Sequence, residues 1–261
     1  MPSRLIGDLT FPEAGKALRA TSTLCLPLGS MEQHGPHLPL NTDAVLAEAL
    51  TRAIVARWGE AYDLWQLPAL PFGLSREHAW APGTMSLSVQ GMAALLRELG
   101  GEIVRALPAR NLVFVNGHGG NRGILESLIR EFRGDFGLNA CALHLGAMMS
   151  PVPKTGLPEI HGGKDETSVM LALAPELVRR DRIGKPKRKP SRKSVTALVL
   201  DPAASWPWSS DDPRIAEQGV MGNAAAASAE RGKAIVARMV RAAGGALKQL
   251  VENRKAAPRS R

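Results

Sequence analysis

Short apolar runs and longer stretches of helical periodicity take turns along this 261-residue chain. Residues 23–29, Thr-Leu-Cys-Leu-Pro-Leu-Gly, read as a short buried strand that stops at glycine. From Asp43 the period changes. Leu46, Leu50 and Ile54 recur every fourth residue and give a helix one apolar face, with Asn41 or Thr42 as its candidate N-cap. The same switch returns at residues 111–115, Asn-Leu-Val-Phe-Val. This β-type run is followed by glycines and then by Ile124, Leu125, Leu128 and Ile129 on one side of a helix. Residues 139–143 read as another strand, residues 169–174 as a helix that stops at Pro175, and residues 221–250 as a long alanine-rich helix. Strand-like and helix-like segments alternate to about residue 178, the order that βαβ architecture requires. At this length one large α/β domain over residues 1–250 is expected, followed by a tail at 251–261.

Candidate chemistry gathers where the strands end. Residues 29–43 read Gly-Ser-Met-Glu-Gln-His-Gly-Pro-His-Leu-Pro-Leu-Asn-Thr-Asp, which brings Glu32, His34 and Asp43 into one short segment. Glutamate, histidine and aspartate are ligands for divalent metals. On extended backbone Glu32 and His34 point to the same side, and Pro36 and Pro39 exclude a helix and favour an extended loop. Two ligands would then leave a strand end and a third would arrive at a helix start. The plainer alternative is that Asp43 only caps its helix, with Glu32 and His34 solvated.

Two further segments carry the same kind of residue. Residues 116–121, Asn-Gly-His-Gly-Gly-Asn, follow a strand directly, and in open α/β sheets sites form at such carboxyl ends. The glycines let backbone approach a ligand closely, and His118 stands where a side chain would enter the site. A phosphate-cradling loop is the rival, but its lysine-containing signature is absent; a structural histidine is the other alternative. Residues 159–168, Glu-Ile-His-Gly-Gly-Lys-Asp-Glu-Thr-Ser, put His161 on a glycine loop and Glu166 in a first helical turn, where its charge suits the dipole. An ordinary acidic first turn capped by Asp165 or Thr167 is the alternative there.

Residues 26–43, Pro82-Gly-Thr84, residues 116–121 and residues 161–168 together resemble the creatininase (creatinine amidohydrolase) family, with a weaker element at 219–232. The resemblance implies a three-layer α/β/α fold with a mainly parallel central sheet, a two-metal centre, hydrolysis of non-peptide C–N amide bonds, and a homo-oligomer, usually a hexamer. Carried over position by position, it implies Glu32, His34, Asp43, His118 and Glu166 as metal ligands, with Asp43 as the bridge. It puts His161 beside the substrate as a catalytic residue together with Glu166. Three carboxylates offset most of the charge of two divalent ions. Zinc is the first expectation and manganese or iron the alternatives, since all-N/O ligation suits each. The implied reaction is attack of a metal-bound hydroxide on the amide carbonyl of a small molecule, a cyclic amide or formamide. His161 would protonate the departing nitrogen.

The chain departs from creatininases proper, which carry a tyrosine and a glutamate where Gly119 and Gly120 stand here, and tryptophans around the substrate where this chain has Leu157 ahead of His161. Relatives that share Asn-Gly-His-Gly-Gly-Asn include formamide-cleaving deformylases and peptide-maturation enzymes, so creatinine is not the expected substrate. Gly119 and His78 are candidate substrate contacts. Lys164, where the family more often has glutamate, would either bind an acidic substrate group or sit solvated. His37 is read as a residue behind the ligands or at the surface, and His144 as a possible pocket residue. Trp206 and Trp208, flanking Pro207, would form a lid, a subunit contact or plain packing.

The net charge of +9 is unevenly spread. Residues 179–193 hold nine basic side chains against Asp181, and the last fourteen residues hold five against Glu252, which leaves the catalytic body slightly acidic. The basic loop at 179–194 therefore reads as an exposed connector interrupted by prolines. Nucleic-acid binding through it is an alternative function, disfavoured because it has no aromatic residues for base stacking. A second alternative, a non-enzymatic ligand- or partner-binding relative, predicts lost ligand positions, and all five are filled. Cys25 and Cys141 lie in apolar runs and are expected buried and reduced. No segment has the apolar length of a signal peptide or a membrane span, so the cytoplasm is the expected compartment, with no membrane partner.

Overall fold

The computed structural model describes residues 4–153, 156–184 and 190–256. Four strands, β1 (Thr23–Leu28), β2 (Leu64–Gln66), β3 (Asn111–Asn116) and β4 (Asn139–His144), form one parallel sheet in the order β2-β1-β3-β4. Around it run α1 (Phe11–Ala17), α2 (Thr42–Tyr62), α3 (Val89–Ala106), α4 (Arg122–Phe136), α5 (Leu145–Met149), α6 (Lys164–Leu173), α7 (Arg192–Leu198) and α8 (Ala229–Ala256). A parallel sheet covered on both faces needs strands that are apolar throughout. All six residues of β1 and of β3 are buried.

The alternation of side chains along each strand divides the core into two layers. Leu24, Leu26 and Leu28 of β1, with Leu112 and Phe114 of β3, pack against Met92, Leu96 and Ile103 of α3 and Leu125, Leu128 and Phe132 of α4. On the other face, Cys25, Val113 and Val115 meet Leu46, Leu50 and Ile54 of α2 and residues of α6 and α8. This is the expected three-layer α/β/α arrangement. Cys25 and Cys141 are free thiols, and burial pushes both up to about 12, which keeps them protonated. Among the described residues no helix is long and apolar enough to cross a membrane.

Three local expectations are corrected. The segment after β1 does not stay extended: Gly35 takes a φ of +71°, and His34 bridges back to Leu38 in a tight turn. The last helix starts at Ala229 rather than near 221, because Met221 is held in a backbone bridge to His161. The basic segment is not wholly irregular, since Arg192 and Lys193 open α7 on the Ser191 cap; its residues 185–189 lie outside the described ones.

Candidate metal centre

β1 and β3 are neighbours with Leu28 opposite Asn116, so both motifs leave the sheet at the same carboxyl edge. Two glycines let the start of α2 press onto them. A Cβ at Gly29 would lie 2.4 Å from the Ala44 nitrogen, and one at Gly117 would lie 2.4 Å from the Asp43 carbonyl oxygen. That close approach brings Asp43 between His118 and His34.

Asp43 faces two groups, one with each carboxylate oxygen. His118 Nδ1 is 3.0 Å from Asp43 Oδ2 and 3.1 Å from Glu32 Oε2. His34 Nε2 is 3.2 Å from Asp43 Oδ1 and 3.8 Å from Glu166 Oε1. In each group the far nitrogen of the histidine is already committed. His118 Nε2 lies 2.6 Å from the Leu74 carbonyl oxygen and His34 Nδ1 lies 3.1 Å from that of Glu32. A carbonyl only accepts, so those nitrogens carry the proton and each neutral ring turns a lone pair toward carboxylate oxygens. Converging lone pairs in a buried place need a cation between them, either a proton or a metal. Glu32 Oε1, Glu32 Oε2 and Asp43 Oδ2 are buried without a hydrogen bond, a state buried polar atoms rarely keep. The residues therefore fit a divalent ion, and they form compact His/Asp/Glu groups able to hold one.

Without an ion the positive charge falls on the imidazoles. Burial opposes charge on His34, but Asp43 and Glu166 hold it charged up to about 10. Burial likewise opposes charge on His118, while Glu32 and Asp43 raise it well above its ordinary range. The Glu32 carboxylate, despite burial, is held down to about 2 chiefly by His118. Burial pushes Glu166 up, with Asp43 adding to the effect.

His161 stands beside these groups. Its Nε2 lies 2.7 Å from the Gln33 carbonyl oxygen and its Nδ1 lies 3.6 Å from Glu32 Oε1. Its ring stacks on His78, centroids 4.0 Å apart, and tilts against His34 at 4.2 Å. His78 is buried, with Nε2 3.5 Å from Glu32 Oε1 and Nδ1 2.7 Å from Ser210 Oγ. Burial and then His34 push His161 down to about 3, and because Nε2 faces the Gln33 carbonyl, Nδ1 turns its lone pair toward the Glu32 side of the site.

Two cavities meet at the cluster. One of about 290 Å³ is bordered by Asp43, His118 and Glu166, and the other, of about 760 Å³, by Glu77, His78, Trp206 and Trp208. Both are lined by His118, Gly119, Arg122 and His161, so both border the same side chains of the cluster. Gly119 lines both cavities, and Trp206 and Trp208 wall the larger one. Lys164 lines neither cavity; its Nζ lies 3.7 Å from Oε1 of Glu159, which borders the smaller one. His37 bonds Thr167 Oγ1 at 2.8 Å and borders a separate cavity of about 190 Å³. His144 meets Asn116 at 3.2 Å. Asp165 is no cap but pairs with Arg231 at 2.5 Å.

Sequence reasoning missed Gln33, Glu77, Ser210 and Arg122. Gln33 Nε2 reaches His78 Nδ1 at 2.9 Å and Ser210 Oγ at 3.2 Å. An extended reading points it away from its neighbours Glu32 and His34, and the turn at Gly35 is what hid it. Glu77 had one available signal, its place beside His78 in a segment already singled out. Arg122 had the same kind of signal, directly after residues 116–121, and Ser210 had none.

The creatininase family model, described as creatinine amidohydrolase, matches residues 7–247. The chain belongs to the creatininase family. It is similar to a mycofactocin precursor peptide peptidase of Mycobacterium tuberculosis, 35% identical over 246 residues, covering 90% of this chain and 88% of the relative. It is also similar to a creatinine amidohydrolase of Pseudomonas putida, 28% identical, covering 95% and 97% of the two chains. A crystal structure of creatinine amidohydrolase superposes with a TM-score of 0.74 at 28% identity, covering 95% of this chain and 98% of that one. Solved creatininases of the same likeness include a manganese form and a mutant of Zn–Zn type. Within this family the present chain is a hydrolase whose bond class, peptide-like or non-peptide, differs between its relatives.

Proposed function

We propose that this chain is a metal-dependent amidohydrolase with two divalent ions, one held by Glu32, Asp43 and His118 and the other by His34, Asp43 and Glu166. The carrying observation is the pair of lone-pair clusters that share Asp43, one on each of its oxygens. Divalent ions bound there would supply Lewis acidity toward an amide carbonyl and lower the pKa of water. The protein holds its own part of the chemistry at defined atoms. Leu74 and Glu32 carbonyls fix the tautomers of His118 and His34, so both rings present an acceptor nitrogen to the centre. His161 donates Nε2–H to the Gln33 carbonyl, which leaves Nδ1 to take up a proton and pass it to the departing nitrogen.

The substrate we infer is an extended, peptide-like amide. Two cavities border the cluster, and the larger alone, at about 760 Å³, is in the range for drug-sized ligands rather than for a single small ring. Relatives named for a precursor peptide support this. The small cyclic amide or formamide is the second reading, supported by the relative named for creatinine.

The test is to measure metals in the purified protein, then assay short peptides, formamides and creatinine side by side. Metal-dependent cleavage of peptides is expected. Cleavage of only the small amides would move the substrate to the second reading. Absence of bound metal, with none regained on soaking, would defeat the metal-dependent reading itself.

A further inference from the structure

The turn that carries His78 also touches the centre from behind, and its carboxylate has no part in the reaction above. Glu77 is the middle residue of the 3-10 turn Arg76–His78. Its Oε1 lies 3.5 Å from His118 Nε2 and its side chain is 18% exposed. That nitrogen is the one that donates to the Leu74 carbonyl at 2.6 Å. Two acceptors from one turn therefore face the back edge of the His118 ring, while the front edge faces Glu32 and Asp43.

Gly120 makes the space for this. A Cβ there would lie 2.9 Å from Glu77 Oε1, 2.5 Å from His118 Nε2 and 2.2 Å from the Leu74 carbonyl oxygen. The turn is also fixed at several points. The Leu74 nitrogen donates to Asn121 Oδ1 at 2.9 Å and the Ser75 nitrogen to Ser86 Oγ at 2.8 Å. The Ser210 nitrogen donates to the Glu77 carbonyl at 2.9 Å. An acidic side chain held so close to a buried ring N–H acts on whatever the ring's other nitrogen binds. Carboxylates placed behind metal-binding histidines fix the ring and raise its basicity as a ligand.

We propose that Glu77 is a positioning residue of the metal centre, which acts with the Leu74 carbonyl to hold His118 by its Nε2–H edge and strengthens Nδ1 as a donor to a divalent ion. This rests on the metal-binding reading above. Glu77 does this from the 74–78 turn, a different segment from the one that carries His118.

The test strips the full-length protein of metal and titrates zinc against a chelating indicator, for the wild type, Glu77→Gln and Glu77→Asp. Melting of each metal-free protein and the ring nitrogen shifts of His118 are recorded alongside. Glu77→Gln should weaken zinc binding roughly 10–100-fold and shift the His118 ring signals, with metal-free melting unchanged. Glu77→Asp, which keeps the charge, should recover part of the affinity. Wild-type affinity in Glu77→Gln would overturn the proposal alone. So would a loss shared equally by both variants together with lowered metal-free melting, which would mark Glu77 as a plain anchor of the turn. Absence of zinc binding by the wild type would overturn the metal reading, and this proposal with it.

Discussion

The proposed metal centre and the wall around it are built from different material. Glu32, His34, Asp43 and His118 come from strand ends and a helix start, all of them buried and locked by backbone carbonyls and glycine contacts. The wall comes from loops: Gly119, Arg122 at a helix mouth, Trp208 and Trp206, which is 53% exposed. The first region leaves its residues little freedom, whereas the second can change without touching the sheet. Chemistry should therefore be sensitive to the centre and substrate choice to the wall, which is consistent with relatives named for different substrates on one fold.

The sharpest way to break this contrast is Asp43→Ala. If Asp43 serves both groups, the variant should lose both ions by elemental analysis and activity should fall to background. Retention of one full equivalent would mean that the groups are independent. Next in size is a paired substitution at adjacent glycines. Gly120→Ala forces a Cβ against the Leu74 carbonyl and His118 and should cost about 1–3 kcal/mol in denaturant unfolding. Gly119→Ala meets nothing within 4 Å and should stay within about 0.5 kcal/mol of the wild type. Equal effects at the two positions would contradict the assignment of Gly120 to the centre and Gly119 to the wall. A smaller effect is expected of Trp206→Ala. Loss of about 1 kcal/mol of substrate contact would raise KM roughly fivefold with metal content unchanged.

The smallest expected effect is on pH dependence in the metal-free protein. The folded pKa of His34 is raised from 6.5 to about 10. Its contribution to stability is complete below pH 6.5 and is lost as the pH rises toward about 10. Melting of the stripped protein should decline across that window, while the zinc-loaded protein, whose ion takes the place of the proton, should decline less. Parallel curves would argue that no ion occupies the His34 group.

How much could be read from the chain follows the same division. The buried runs at β1 and β3 and the helix starting near Asp43 were legible, because a covered parallel strand and an amphipathic helix each impose a period on the sequence; Glu32, His34, His118 and Glu166 were singled out by residue type and by the family resemblance, and no period marks them. The turn at Gly35 was not, since prolines argue locally for extension while the backbone bridge of His34 to Leu38 is set by packing. The role of Lys164 was not either, because residue type alone does not choose between a substrate group and Glu159, earlier in the same segment, as its partner. Gln33, Glu77 and Ser210 meet at the site from three distant segments, and contacts of that kind arise only when the chain is folded.

The central claim is that two ions share Asp43. Anomalous diffraction from crystals of the zinc-loaded protein tests it most directly. Two peaks roughly 3.5–4 Å apart are expected, with one Asp43 oxygen directed at each, Glu32 and His118 around the first and His34 and Glu166 around the second. A single peak, or a pair that Asp43 does not join, would contradict it.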